Sequence, residues 1–190
     1  MVLQRFLAAV ACAALLAGPA LADALGDIRT QHKQGNLAGA LELADRYLAG
    51  NPDHAEARFL KGVILTDQGR HDDAIAVFTA LTDDYPELPE PYNNLAAIYA
   101  AQGRYALALD ALETAIRVFP NYATAHENLG DIHAKLAAAA YEKALALDRK
   151  NATAQTKLTL MRSLLERQAL EPTPARGLKN GSTNNTRKAK

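Results

Sequence analysis

Five histidines, one cysteine and two Asp-Asp pairs are the side chains of this 190-residue chain suited to metal, nucleophilic or acid–base chemistry. Their spacing works against all three. His126 and His133 stand seven residues apart. On a helix that is two turns and roughly 10–11 Å of rise, too far for both rings to ligate one metal ion without distortion. His32, His54 and His71 are scattered elsewhere. Asp72-Asp73 and Asp83-Asp84 fall at expected helix ends, and the first pair suits the positive pole of a helix N-terminus. No HExxH, phosphate-cradling glycine loop or nucleophile elbow is present. The expectation is a protein without catalysis, cofactor or metal, and attention moves to the elements that would carry a binding surface.

The first 22 residues stand apart from those elements. One early positive charge, Arg5, precedes an apolar run over 6–17, then the helix breakers Gly18 and Pro19, then Ala20-Leu21-Ala22. That order of charge, apolar core and small-x-small site describes a cleavable signal peptide, 1–22. The run is too short to span a bilayer comfortably, so no stable membrane span remains after cleavage. Cys12 is the only cysteine and leaves with the signal. The mature chain from Asp23 then has no disulfide, Cys-ligated zinc or thiol nucleophile. A periplasmic or otherwise exported location follows. The formal net charge is zero, which gives no whole-chain electrostatic reason to bind nucleic acid. Abundant Ala, 6% aromatics and no Trp suit close helix–helix packing better than sheet.

A period of 34 runs through the middle of the chain. Gly35, Gly69 and Gly103 keep it, as do Ala40, Ala74 and Ala108, and Pro52, Pro86 and Pro120. Gly62, Ala96 and Gly130 form a series of small residues at the same step. Each series has a mechanical meaning. The small residue lies mid-helix, where a neighbouring helix approaches closely. The Gly ends that helix in a left-handed conformation. The Ala lets a second helix pack against the first, and the Pro closes the second helix. The unit is helix, turn, helix, turn.

These positions resemble the tetratricopeptide repeat. Tyr92, Leu95, Ala96, Tyr99, Ala108, Leu112, Ala115 and Pro120 carry the resemblance in unit 89–122. Gly62, Leu65, Ala74, Phe78, Leu81 and Pro86 carry it in unit 55–88, which departs at Lys61, where an apolar residue is usual. A first unit from about Leu21 keeps Ala40, Ala44, Tyr47 and Pro52. In a fourth, His126 and His133 fall on core positions usually held by aromatics, so they are expected to be packed. The resemblance implies an all-α, right-handed α-solenoid whose concave face is lined by the first helix of each unit.

The fourth unit is five residues short, and the missing residues are those of the turn. Lys135-Leu136 runs into four consecutive alanines, 137–140, strong helix formers and poor turn formers. The apolar stripe 129, 132/133, 136, 140, 144, 147 continues at helical spacing. The sequence therefore predicts one long capping helix from about Ala123 to Asp148. A further amphipathic helix, with Ala154, Leu158, Met161 and Leu164/Leu165, is expected to pack back on it. The array spans 23–170. The segment 171–190 has no apolar period and is expected to be disordered. It carries five basic residues against one acidic, while 23–170 carries 15 basic against 20 acidic. Weak contact of this basic tail with anionic envelope polymers is one expectation for it.

The resemblance also implies which residues face a ligand. Asn94 and Asn128 match the position whose amide bonds the backbone of a bound peptide, or else a neighbouring helix. The remaining groove positions are Arg29 and Lys33 in the first unit, Phe59, Val63 and Asp67 in the second, Asn93 and Ala97 in the third, and Glu127, Asp131 and Lys135 in the fourth. Leu25 and Leu60 stand where a basic carboxylate clamp would need Lys and Asn. The implied function is an exported protein–protein interaction scaffold taking a peptide or partner protein in the groove. The alternative is an accessory or regulatory module for a cell-envelope, wall-processing enzyme. N-terminal sequencing of the protein recovered from an exported fraction should begin at Asp23. A chain retaining residue 1 would remove the export reading.

Overall fold

The computed structural model describes residues 17–170, with side chains from 24 to 167. Most of the signal segment and the basic tail 171–190 lie outside the described residues. All regular elements among the described residues are helices: α1 (Ala17–Lys33), α2 (Leu37–Gly50), α3 (Ala55–Asp67), α4 (His71–Asp84), α5 (Pro89–Ala101), α6 (Tyr105–Val118), α7 (Ala123–Leu147) and α8 (Ala152–Leu170). Three hairpins, α1–α2, α3–α4 and α5–α6, stack in chain order, and α7–α8 closes the stack. This is an all-α solenoid of helical hairpins. Gly18 and Pro19 lie in the first turn of α1, where Pro has no helical hydrogen bond to lose; they start a helix instead of breaking one.

The hairpin turns depend on the glycine series. Gly35, Gly69 and Gly103 have φ of 77°, 74° and 73°, a conformation that costs glycine little. The next residue donates its N–H to the carbonyl five positions back: Asn36 to Gln31 at 3.0 Å, Arg70 to Leu65 at 2.9 Å and Arg104 to Tyr99 at 2.8 Å. That bond closes a Schellman cap on each first helix and reverses the chain. Pro52, Pro86 and Pro120 each stand two residues past the end of α2, α4 and α6.

Inside each hairpin a small residue meets a larger one. Gly62 lies under Phe78: a Cβ built on Gly62 would stand 2.6 Å from the Phe78 ring, which is fully buried. In the third unit Ala96 and Leu112 share a core. In the first unit the order is inverted, with Ile28 at the small position and Ala44 opposite, both at 0% exposure. Total volume is kept and the helices close to the same depth. Lys61, the departure from the repeat pattern, is half-buried and pairs with Asp45 of α2 at 2.7 Å. A long stem can be partly buried in this way while its ammonium stays with a carboxylate.

Residues 123–147 form one uninterrupted helix of 25 residues, as the alanine run predicts. Its first half packs Ala125 and Ile132 against Ala108, Leu112 and Ala115 of α6. Its second half meets α8, where Lys157 lies 5.6 Å from the Tyr141 ring centre and Arg162 pairs with Glu142 at 3.0 Å. The apolar stripe of this helix is covered only in part: Ala140 is exposed and Leu147 is 79% exposed. The 14-residue α6 packs against Ala125, Leu129, Ile132 and Leu136 of α7, and α8 packs against the second half. His126 and His133 are exposed, not packed; His126 donates to the Pro120 carbonyl, at 2.9 Å. No second helix folds back over them, because the turn is missing.

Gly62→Ala should destabilise the protein by about 1–3 kcal/mol through overpacking against Phe78. Gly26→Ala, mid-α1 with nothing within 4 Å of the new methyl, should stabilise by about 0.5–1 kcal/mol. Urea unfolding of the two variants reads both signs.

Candidate functional site

The first helices touch across units, α1 with α3, α3 with α5 and α5 with α7, whereas no such contact joins α2 to α4 or α4 to α6. First helices that meet while second helices splay define a curved wall with α1, α3, α5 and α7 on the inner side. All twelve residues expected to face a ligand lie on those four helices.

Their surroundings differ. Arg29 pairs through Nη2 with Glu56 of α3, and its buried Nε has no hydrogen-bond partner. Asp67 accepts from His32 Nε2 at 2.6 Å, joining α3 to α1. Phe59 is half-buried and lies 5.7 Å, centroid to centroid, from Phe78. Val63 is buried at 8% exposure. Asn93 and Asn128 are buried, at 4% and 7% exposure, and the Asn128 amide donates to Asn93 Oδ1 at 2.7 Å. Of the two amides implied to hold a peptide, Asn128 is thus engaged across the α5–α7 contact. Asn94 is half-buried, with its amide N–H on the Glu90 carbonyl at 2.8 Å. Ala97 and Asp131 are half-buried. Lys33, Glu127 and Lys135 are exposed and have no ion-pair partner among the described residues.

The sequence reading missed three contributors. His32, Glu56 and Glu90 stand on the same wall, two of them tying first helices together. Glu56 and Glu90 are one period apart, and two of the inter-unit side-chain bonds, His32 to Asp67 and Asn93 to Asn128, join residues 35 apart. A search for polar pairs at one period plus one residue would have found those two bonds, and with them His32. Glu90 also reaches Tyr122, the residue before α7. Burial, with the Glu90 charge adding to it, pushes the Tyr122 phenol up to about 12. The ring stays neutral at the acidic end of the wall, where Glu90 and Glu127 stand.

This wall holds no cluster of three or more His, Cys, Asp or Glu side chains able to take a metal ion, nor does the rest of the described chain. It is a surface of mixed charge with apolar floor, suited to contact.

Residues 28–89 match the family model described as the tetratricopeptide repeat, and residues 97–136 match a second TPR repeat model. Together these cover more than half of the chain. The chain belongs to the tetratricopeptide-repeat family. Among solved structures it is similar to YrrB, described as a TPR protein with an unusual peptide-binding site: 28% identity, TM-score 0.51, 53% of this chain and 52% of that one, so the match spans about half of YrrB. It is similar to a thermophilic TPR protein of Thermus thermophilus at 24% identity and TM-score 0.59, covering 78% and 84% of the two chains. A third likeness is to SycD, the type III secretion translocator chaperone of Yersinia enterocolitica, at 16% identity and TM-score 0.57, covering 60% and 92%. No curated protein matches the chain. Proteins of this repeat family generally act as interaction modules. No helix among the described residues is long and apolar enough to cross a membrane.

The buried amide pair of the TPR array makes a quantitative expectation. Asn128→Ala leaves Asn93 Oδ1 without its donor and should cost about 1–3 kcal/mol. The Asn93→Leu/Asn128→Leu double variant removes both polar groups and should cost less than the sum of the single changes in a urea double-mutant cycle.

Proposed function

We propose that this TPR protein is an exported, non-catalytic scaffold that holds a peptide or partner protein on the inner wall of α1, α3, α5 and α7. One observation carries the reading: the wall keeps exposed charges of both signs, Lys33, Glu127 and Lys135, with no ion-pair partner among the described residues, beside the half-buried Phe59. The paired polar residues Arg29–Glu56, His32–Asp67 and Asn93–Asn128 fix the helices behind them. Side chains already engaged give the groove its shape, and the unpaired ones are available to a ligand. YrrB, a TPR protein with a peptide-binding site, supports the same use of this fold. The order of Arg5, apolar run and Ala20-Leu21-Ala22 supports export.

Cross-linking mass spectrometry in the native host tests the reading. Partner cross-links should gather on α1, α3, α5 and α7. Phe59→Ala combined with Lys33→Glu and Lys135→Glu should weaken partner binding at least tenfold, roughly 1.4 kcal/mol, with an unchanged circular dichroism spectrum. Cross-links confined to α2, α4 and α6, or none at all, would sink it. A wall-processing enzyme as the recovered partner would make the protein an accessory module of that enzyme.

A further inference from the structure

In units two and three the second helix covers the small residue of the first, Phe78 over Gly62 and Leu112 in one core with Ala96. The equivalent face of α7 has no such cover. Gly130 is exposed, with no described atom within 4 Å of where its Cβ would stand. His126 and His133, about one turn to either side, are exposed as well.

The residues that belong over this face exist in the chain. Ala137, Tyr141 and Ala144 repeat the small–large–small order and the spacing of Ala108, Leu112 and Ala115. Those three of α6 are at 0% exposure, whereas Ala137, Tyr141 and Ala144 are only half-buried. The two halves of the fourth hairpin therefore lie end to end on one rigid helix. Gly130 and Tyr141 are roughly 16 Å apart along its axis and cannot meet within one chain.

We infer that the missing cover comes from a second copy. Two α7 helices pack antiparallel, and residues 137–144 of each lie over residues 127–134 of the other. The register is that of the intramolecular hairpins: Gly130 of one copy faces Tyr141 of the other, as Gly62 faces Phe78. The face continues the interface between first and second helices already present in units two and three. The two-fold axis passes between Lys135 and Leu136, so the contact is self-complementary and closes as a dimer without propagating into a fibre. Lys157 of α8 lies 5.6 Å from the Tyr141 ring centre; it is exposed, and its flexible side chain swings off the ring as the second copy seats. A contact of one helix pair is small, so the dimer is weak and concentration-dependent.

Sedimentation of the full chain over a wide concentration range should show reversible monomer–dimer exchange. Gly130→Glu adds a side chain where the single chain has room. It should raise the dissociation constant tenfold or more without loss of helix content. Inserting a five-residue, glycine-containing turn between Leu136 and Ala137 should let residues 137–147 fold back and give a monomer of equal helix content. In a Cys12→Ser background, His126→Cys with Ala144→Cys places two thiols roughly 27 Å apart on one helix, so any disulfide joins two copies; oxidised dimer is expected. A chain that sediments as monomer throughout, a dimer indifferent to Gly130→Glu, or a dimer that gives no inter-chain disulfide overturns the inference.

Discussion

The fold depends on where the backbone can turn back after a helix. A hairpin needs one residue with positive φ, and Gly35, Gly69 and Gly103 supply it. Each lets a second helix fall onto the first, and each closure buries an alanine completely, Ala40, Ala74 or Ala108. Where no such residue is present, between Leu136 and Ala137, the helix continues and the architecture changes from hairpin to rod. Packing quality is secondary to this switch. The fourth unit retains much of its hairpin sequence, yet without the turn its halves are held apart.

The tertiary contacts are local in the chain. Each helix meets its sequence neighbours, and the first helices also meet across one unit. A solenoid of this kind has no single centre, and its stability is close to a sum of unit and interface contributions. The inter-unit bonds therefore matter beyond their number. His32–Asp67 and Asn93–Asn128 are the side-chain links between consecutive first helices at the 35-residue offset. A buried amide pair gains little net energy over an apolar pair, but it penalises any slip that leaves one amide unsatisfied. Its contribution is to register, and register sets the curvature of the wall.

Much of this architecture was legible because repeats expose their constraints several times over. The three turn glycines, the buried alanines and the small–large pair Gly62–Phe78 follow from the period, and the long α7 follows from the four alanines in the turn's place. What escaped was relational. His126 and His133 have the positions of packed aromatics, but burial there comes from a helix that the missing turn prevents from returning. Lys61 reads as a defect until Asp45 is found beside it. The identity of α8 was missed for the same reason. Ala123-Thr124-Ala125 with Leu129 recurs as Ala152-Thr153-Ala154 with Leu158, 29 residues on, which is one period less the five absent residues. Ala125 and Ala154 are both buried, so α8 is a first helix in sequence that serves as the closing helix in space.

Helix α7 serves two surfaces. Glu127, Asp131 and Lys135 belong to the inner wall, while His126, Gly130 and His133 lie on the face left uncovered by the absent hairpin. Neighbouring positions on a helix are turned by about 100°, so a second copy seated on the uncovered face need not enter the wall. Pairing through α7 would therefore leave both grooves open and hold them on one particle in fixed relative orientation. A partner presenting two copies of its peptide would then meet the second groove at an effective concentration set by that geometry, and avidity would rise without any new contact in either groove. Weak single-site binding by a wall of mixed charge becomes sufficient under that arrangement, and the length of a partner able to span both grooves becomes the property selected.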